Sequence, residues 1–139
     1  MGKNGAPADM KERAVRLLVV EDNPADVVLT RRLLESASTH SFEISDAATL
    51  SAAFEELRRG VDAVLLDLNL PDSQDLVTLQ RLRAEHPSVP IIVVTGLDDR
   101  QKAVEALSNG ANDYFVKEKF DVRLLTRAIL RALKPKAVR

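Results

Sequence analysis

Residues 15–26 read VRLLVVEDNPAD. A short apolar run stops at two adjacent carboxylates, Glu21 and Asp22, and Asn23-Pro24 then opens a segment of different period. Branched and long aliphatic residues in a run of six fit a buried strand. Asn caps helices well, and Pro suits the first helical position. The stretch therefore predicts a strand that feeds a helix through a tight turn. Asp26, three residues after Asn23, reads as a capping box with Asp in place of Glu. The paired acids have two explanations. They are helix-start acids meeting the macrodipole, or they hold a cation.

The same alternation continues outward. Short apolar runs recur at FEISDA (42–47), VDAVLLD (61–67), VPIIVVT (89–95) and DYFVK (113–117). Segments with helical spacing lie between them: Leu29, Leu33 and Leu34 share a face, as do Leu50, Phe54 and Leu57, then Leu76, Leu79 and Leu82, then Val104 and Leu107, then Leu125, Ile129 and Leu133. Gly60 and Gly110 fall where a helix end calls for positive φ, and His86-Pro87 ends the third helix. Five strand-helix units imply an α/β fold, a doubly wound five-stranded parallel sheet of order 2-1-3-4-5, flavodoxin-like (βα)5. Its ligand crevice lies at the carboxyl ends of strands 1 and 3. The domain is expected over 14–134, with a disordered segment at 1–13 and a tail at 135–139.

Bulk properties narrow the classes. With 139 residues, 45% hydrophobic and 29% charged, the chain has material for one globular domain with its own core. The net charge of -1 supplies no global field toward nucleic acid or an anionic membrane, so no nucleic-acid partner is expected. The absence of cysteine removes disulfides and thiolate chemistry. No apolar run reaches the roughly 18 residues of a membrane helix, and the start lacks a signal-peptide core. The expectation is a cytoplasmic protein without membrane insertion.

The strand ends carry the chemistry. Strand 1 ends in Glu21 and Asp22, strand 3 in Asp67, strand 4 in Thr95 and strand 5 in Lys117. A parallel sheet puts all of these on one edge. Three carboxylates close together need compensation to remain ionised. Oxygen-only donors without a His or Cys cluster favour Mg²⁺. A carboxylate beside a cation, an ammonium and a hydroxyl is suited to attack phosphorus, where catalysis is mostly positioning and electrostatics.

VVEDNPAD, VLLDLNLPDS, PIIVVTG and GANDYFVK, in that order and each at a strand end, resemble the receiver domain of two-component response regulators, the chemotaxis-regulator fold. The resemblance implies that Asp67 accepts a phosphoryl group from a histidine kinase or phosphotransfer protein. It implies that Asp22 and Asp67 ligate Mg²⁺ with the backbone carbonyl of Asn69, and that Glu21 acts through a metal-bound water. Lys117 contacts Asp67 and then the phosphoryl group. Thr95 and Tyr114 form a switch that alters the face of the fourth helix, fifth strand and fifth helix, where an unknown downstream protein binds and a homodimer can form on phosphorylation. Self-phosphorylation and slow self-dephosphorylation are expected, not enzymatic turnover.

Two positions depart from the family: Glu118 stands where proline often follows the lysine, and Asp75 where glycine is frequent. Asp tolerates left-handed backbone, so the turn at Asp75 is expected to survive. The alternatives are a receiver-like binding module that works without phosphorylation, and a haloacid-dehalogenase-type phosphatase. The latter class usually has a second Asp where Asn69 stands. Arg123, Arg127 and Arg131, with Lys119 before and Lys134 after, read as a solvated stripe or as a docking surface for an acidic partner. His40 and His86 read as surface residues and not as phosphotransfer histidines.

Overall fold

The structure, a computed structural model, describes residues 14–37, 40–117 and 119–134; the expectations for 1–13, 135–139 and Glu118 fall outside them. The elements alternate as the hydrophobic pattern requires: β1 (Val15–Val20), α1 (Pro24–Ala37), β2 (Phe42–Ala47), α2 (Leu50–Arg59), β3 (Ala63–Leu66), α3 (Asp75–Glu85), β4 (Ile91–Thr95), α4 (Arg100–Ser108), β5 (Asp113–Val116) and α5 (Val122–Leu133). All pairings are parallel and the order is β2-β1-β3-β4-β5. The fold is the expected flavodoxin-like one. Among the described residues, no helix is long and apolar enough to cross a membrane.

Strand alternation explains why β1, β3 and β4 are apolar almost throughout. Leu18, Val20, Val64, Leu66, Ile91 and Val93 point to one face and pack with Leu50, Leu57, Leu79 and Leu82 of α2 and α3. Leu17, Val19, Leu65, Ile92 and Val94 point to the other and pack with Leu34 of α1 and with Leu125 and Ile129 of α5. Each covered leucine contributes about 1.5–3 kcal/mol relative to exposure.

Three local readings are corrected. Val104 and Leu107 do not make the core face of α4; both are exposed, and Ala106 is the buried residue. A small side chain lets that short helix sit close to the sheet and turns its large aliphatics outward. Leu29 is likewise exposed, although Leu34 of the same predicted face is fully buried. His86 is half-buried and stacks on Phe54, with ring centroids 6.0 Å apart. The turn glycines behave as expected, with φ of +93° at Gly60 and +102° at Gly110.

Candidate functional site

The ladders run one residue past the strand ends, and this places the site. The Glu21 N–H donates to the Ala47 carbonyl at 2.9 Å, Asp67 to Val20 at 3.0 Å, and Lys117 to Thr95 at 2.8 Å. Neighbouring strands therefore deliver Glu21, Asp67, Thr95 and Lys117 to one edge. Thr95, Glu21 and Asp67 are all buried. Glu21, Asp22 and Asp67 each offer one oxygen, all within 4.8 Å of one another. Asp22 is the exposed member of the three.

Lys117 is the counter-charge. Its Nζ lies 2.9 Å from Asp67 Oδ2, 2.9 Å from Asp26 Oδ2, and against Glu21 Oε1. Burial pulls the ammonium's pKa down, but the hydrogen bonds it donates to Glu21, Asp26 and Asp67 outweigh it and the net shift is upward. Burial also pushes the Glu21 carboxyl up to about 7, assisted by the charge of Asp67 and opposed by the bonds from Lys117 and the Asn23 N–H. Three carboxylates thus surround one ammonium, with Asp22 close to two of them. An all-oxygen donor set with excess negative charge fits a hard divalent cation, and Glu21, Asp22 and Asp67 are the side chains positioned to hold one.

The loop after β3 is fixed by its own polar groups. The Asn69 N–H donates to Asp67 Oδ1 at 3.1 Å, and the Asp75 N–H donates to Asn69 Oδ1 at 3.1 Å. The buried Thr78 hydroxyl donates to the Leu68 carbonyl at 2.7 Å. Asp75 has φ +58°, so the turn persists without glycine. Its carboxylate meets Lys102 Nζ of α4 at 3.1 Å. The Tyr114 hydroxyl donates to the Leu97 carbonyl at 2.8 Å, tying β5 to the loop after β4.

Asp26 is the residue whose place the sequence reading missed. Its expected capping-box role is filled otherwise: Asn23 Oδ1 accepts from the N–H groups of Ala25 at 2.9 Å and Asp26 at 3.3 Å, and the Asn23 N–H donates to Glu21 Oε2 at 3.1 Å. The Asp26 side chain turns to Lys117 instead. No local pattern signals it, because its partner Lys117 stands ninety-one residues later in the chain. Arg123, Arg127 and Arg131 are exposed; Arg123 pairs with Asp121 at 3.2 Å, while Lys119 pairs with Asp98 at 2.7 Å.

Residues 17–130 match the family described as the response regulator receiver domain. The chain is 33% identical over 122 residues to the transcriptional regulatory protein BasR of Escherichia coli (strain K12), covering 84% of this chain and 53% of that protein. It spans about half the length of the curated relatives it matches. It is similar to a CheY-like response regulator receiver domain protein from Methanospirillum hungatei JF-1, with TM-score 0.72 and 27% identity over 86% of this chain and 94% of that one. A CheX-CheY-BeF3-Mg+2 complex from Borrelia burgdorferi gives TM-score 0.74 at 21% identity, covering 87% and 90%, and shows the shared fold alone. Relatives named as transcriptional regulators run against the expectation of no nucleic-acid partner. That expectation rested on the net charge of these residues, which carries no information about the part of those relatives that this chain does not cover.

Proposed function

The chain belongs to the response regulator receiver family, and on that premise we propose that Asp67 accepts a phosphoryl group from a histidine kinase or phosphotransfer protein, with residues 14–134 acting as the receiver. In the transfer, a bond forms between an Asp67 carboxylate oxygen and phosphorus. The bond from phosphorus to the donor's imidazole nitrogen breaks, and that nitrogen keeps the electron pair. The observation that carries the reading is the meeting of Glu21, Asp22 and Asp67 oxygens within 4.8 Å, with Lys117 Nζ 2.9 Å from Asp67. A bound Mg²⁺ supplies charge neutralisation for the phosphoryl oxygens. Asp22, Asp67 and the Asn69 carbonyl are the groups assigned to hold it, with Glu21 acting through water. The Asn69 N–H orients the Asp67 carboxylate, and Lys117 is placed to follow the phosphoryl group.

The readout is assigned to Thr95 and Tyr114. The Thr95 hydroxyl moves to a phosphoryl oxygen, and Tyr114 gives up its bond to Leu97 and turns inward. The surface made by α4, β5 and α5 is thereby altered. Exposed Val104, Leu107 and Leu97 on that side suit an apolar contact with a downstream partner or with a second copy. The reaction is a single modification with slow self-hydrolysis, in the cytoplasm, and not multiple turnover.

The test is direct. Incubation with acetyl phosphate and Mg²⁺ is expected to add one labile phosphoryl group, seen by mass spectrometry, and neither Asp67→Asn nor EDTA-treated protein acquires it. An adduct retained by Asp67→Asn, or none in the wild type with any donor, defeats the assignment.

A further inference from the structure

An ammonium has three N–H donors, and those of Lys117 face three carboxylates: Glu21, Asp67 and Asp26. Two of these come from strand ends and are well covered, with side-chain exposures of 6% and 9%, whereas Asp26 comes from the first turn of α1 and is 32% exposed. Capping of α1 is done by the Asn23 side chain, so helix geometry leaves the Asp26 carboxylate unaccounted for. A cavity of about 240 Å³ opens on this side, lined by Asp26, Asp67 and Lys117 together with Leu29, Leu33 and Phe120. The ammonium and the Asp26 carboxylate therefore border free space next to the acceptor.

We propose that Asp26 is a positioning residue that restrains Lys117 in the unmodified protein and slows phosphoryl uptake by Asp67. This rests on the phospho-acceptor reading above and deepens it. A phosphoryl group on Asp67 brings oxygens that need the Lys117 ammonium, whose three donors are already engaged. One carboxylate must release it, and the rim-exposed one on the helix is the least enclosed. Until then Asp26 opposes the reaction twice. It holds the ammonium toward α1, and it sets a negative charge close to where a doubly negative donor must approach. With acetyl phosphate, the oxygen–phosphorus bond to the acetyl group breaks, the Asp67 oxygen–phosphorus bond forms, and acetate leaves with the electron pair. No proton is required, so the effect of Asp26 is purely on charge and position.

Asp26→Asn keeps the shape and removes the charge. At a few ångströms in a partly solvated site, one charge is worth roughly three- to tenfold in rate. The expected result is faster uptake from acetyl phosphate by that factor, and a smaller gain with phosphoramidate, which carries less net negative charge. Asp26→Glu should return toward the wild-type rate. Beryllofluoride binding, followed by NMR without any turnover, should tighten in Asp26→Asn. Circular dichroism confirms the fold, and Asp26→Ser serves as a second variant that α1 tolerates in its first turn. A role confined to helix stability moves neither the donor preference nor beryllofluoride affinity. Rates unchanged in Asp26→Asn, or shifted equally for both donors, overturn the inference. A wild type that takes up no phosphoryl group removes instead the phospho-acceptor reading, an outcome distinct from a modified wild type with a variant no faster.

Discussion

At the amino ends of β4 and β5, the Arg83 guanidinium donates to the carbonyls of His86 at 3.0 Å, Val89 at 2.6 Å and Gly110 at 2.6 Å. At the carboxyl ends of β1 and β3, one ammonium is divided among three carboxylates with a fourth, Asp22, alongside. Both regions gather loops around a single cation, yet their energetics differ. Neutral carbonyls around a guanidinium do not repel one another, so every bond adds to the fold. At the same end the Arg16 guanidinium donates to the Arg59 carbonyl at 3.0 Å, while the Arg16 backbone N–H donates to the Asp62 carboxylate at 2.8 Å. Carboxylates do repel one another, and one ammonium cannot neutralise four. The amino end is assembled for stability, and the carboxyl end retains negative charge that a cation relieves.

The strongest way to sharpen this contrast is Arg83→Ala. Three loop carbonyls lose a charged donor, and urea unfolding is expected to show a loss of about 2–4 kcal/mol. The folded fraction should still take up a phosphoryl group like the wild type, because nothing in the acidic cluster changes. An unaltered unfolding midpoint removes the structural role given to the amino end.

The next effect is a pH dependence set by Glu21. Its folded carboxyl sits near 7 through burial, against an ordinary value of 4.5. Between those values the folded chain holds a proton that the unfolded chain has lost. The group's contribution to stability in metal-free protein therefore falls as pH rises from about 4.5 to about 7, then levels off. Lys117 has a raised pKa too, so its contribution also falls as pH rises, but only at strongly alkaline pH, outside this window. A divalent cation favours the carboxylate form. Apparent Mg²⁺ affinity, measured by calorimetry, should thus rise about tenfold from pH 6 to pH 8, and Glu21→Gln should flatten that slope. A wild-type affinity independent of pH breaks the link between burial of Glu21 and the state of the site.

Much of this was legible in the sequence because period and punctuation report local physics. The short apolar runs of β1 and β3, Asn23-Pro24 and the glycines marked the elements, and parallel topology then brought Glu21, Asp67, Thr95 and Lys117 to one edge. Asp75 also met expectation, with its left-handed backbone at φ +58°. What escaped were side-chain choices between near-equivalent partners. Asp26 had a plausible local role at the helix start, and only tertiary geometry turned it to Lys117, ninety-one residues away in sequence. Arg83 looks like any surface arginine of an amphipathic helix until two loops fold over it. Val104 and Leu107 have helical spacing, but spacing does not say which side of a short helix faces the sheet when alanines can do so instead.

The smallest effect is the one that tests the contrast most sharply. Asp22 is the exposed carboxylate of the cluster, so replacing it with Asn relieves repulsion at little structural cost. In EDTA, Asp22→Asn should be more stable than the wild type by about 0.5 kcal/mol, since Coulomb terms at partly exposed sites are small. Added salt should shrink the difference. With millimolar Mg²⁺ the order should reverse, because the wild type gains binding energy that the variant has lost. Thermal unfolding in the two buffers reads both signs. An acid that merely favours the start of α1 gives the opposite result in EDTA, since its removal weakens the helix whether or not metal is present. The crossover therefore separates a residue placed for a cation from one placed for its helix, and a variant less stable than the wild type in both buffers returns Asp22 to the second class.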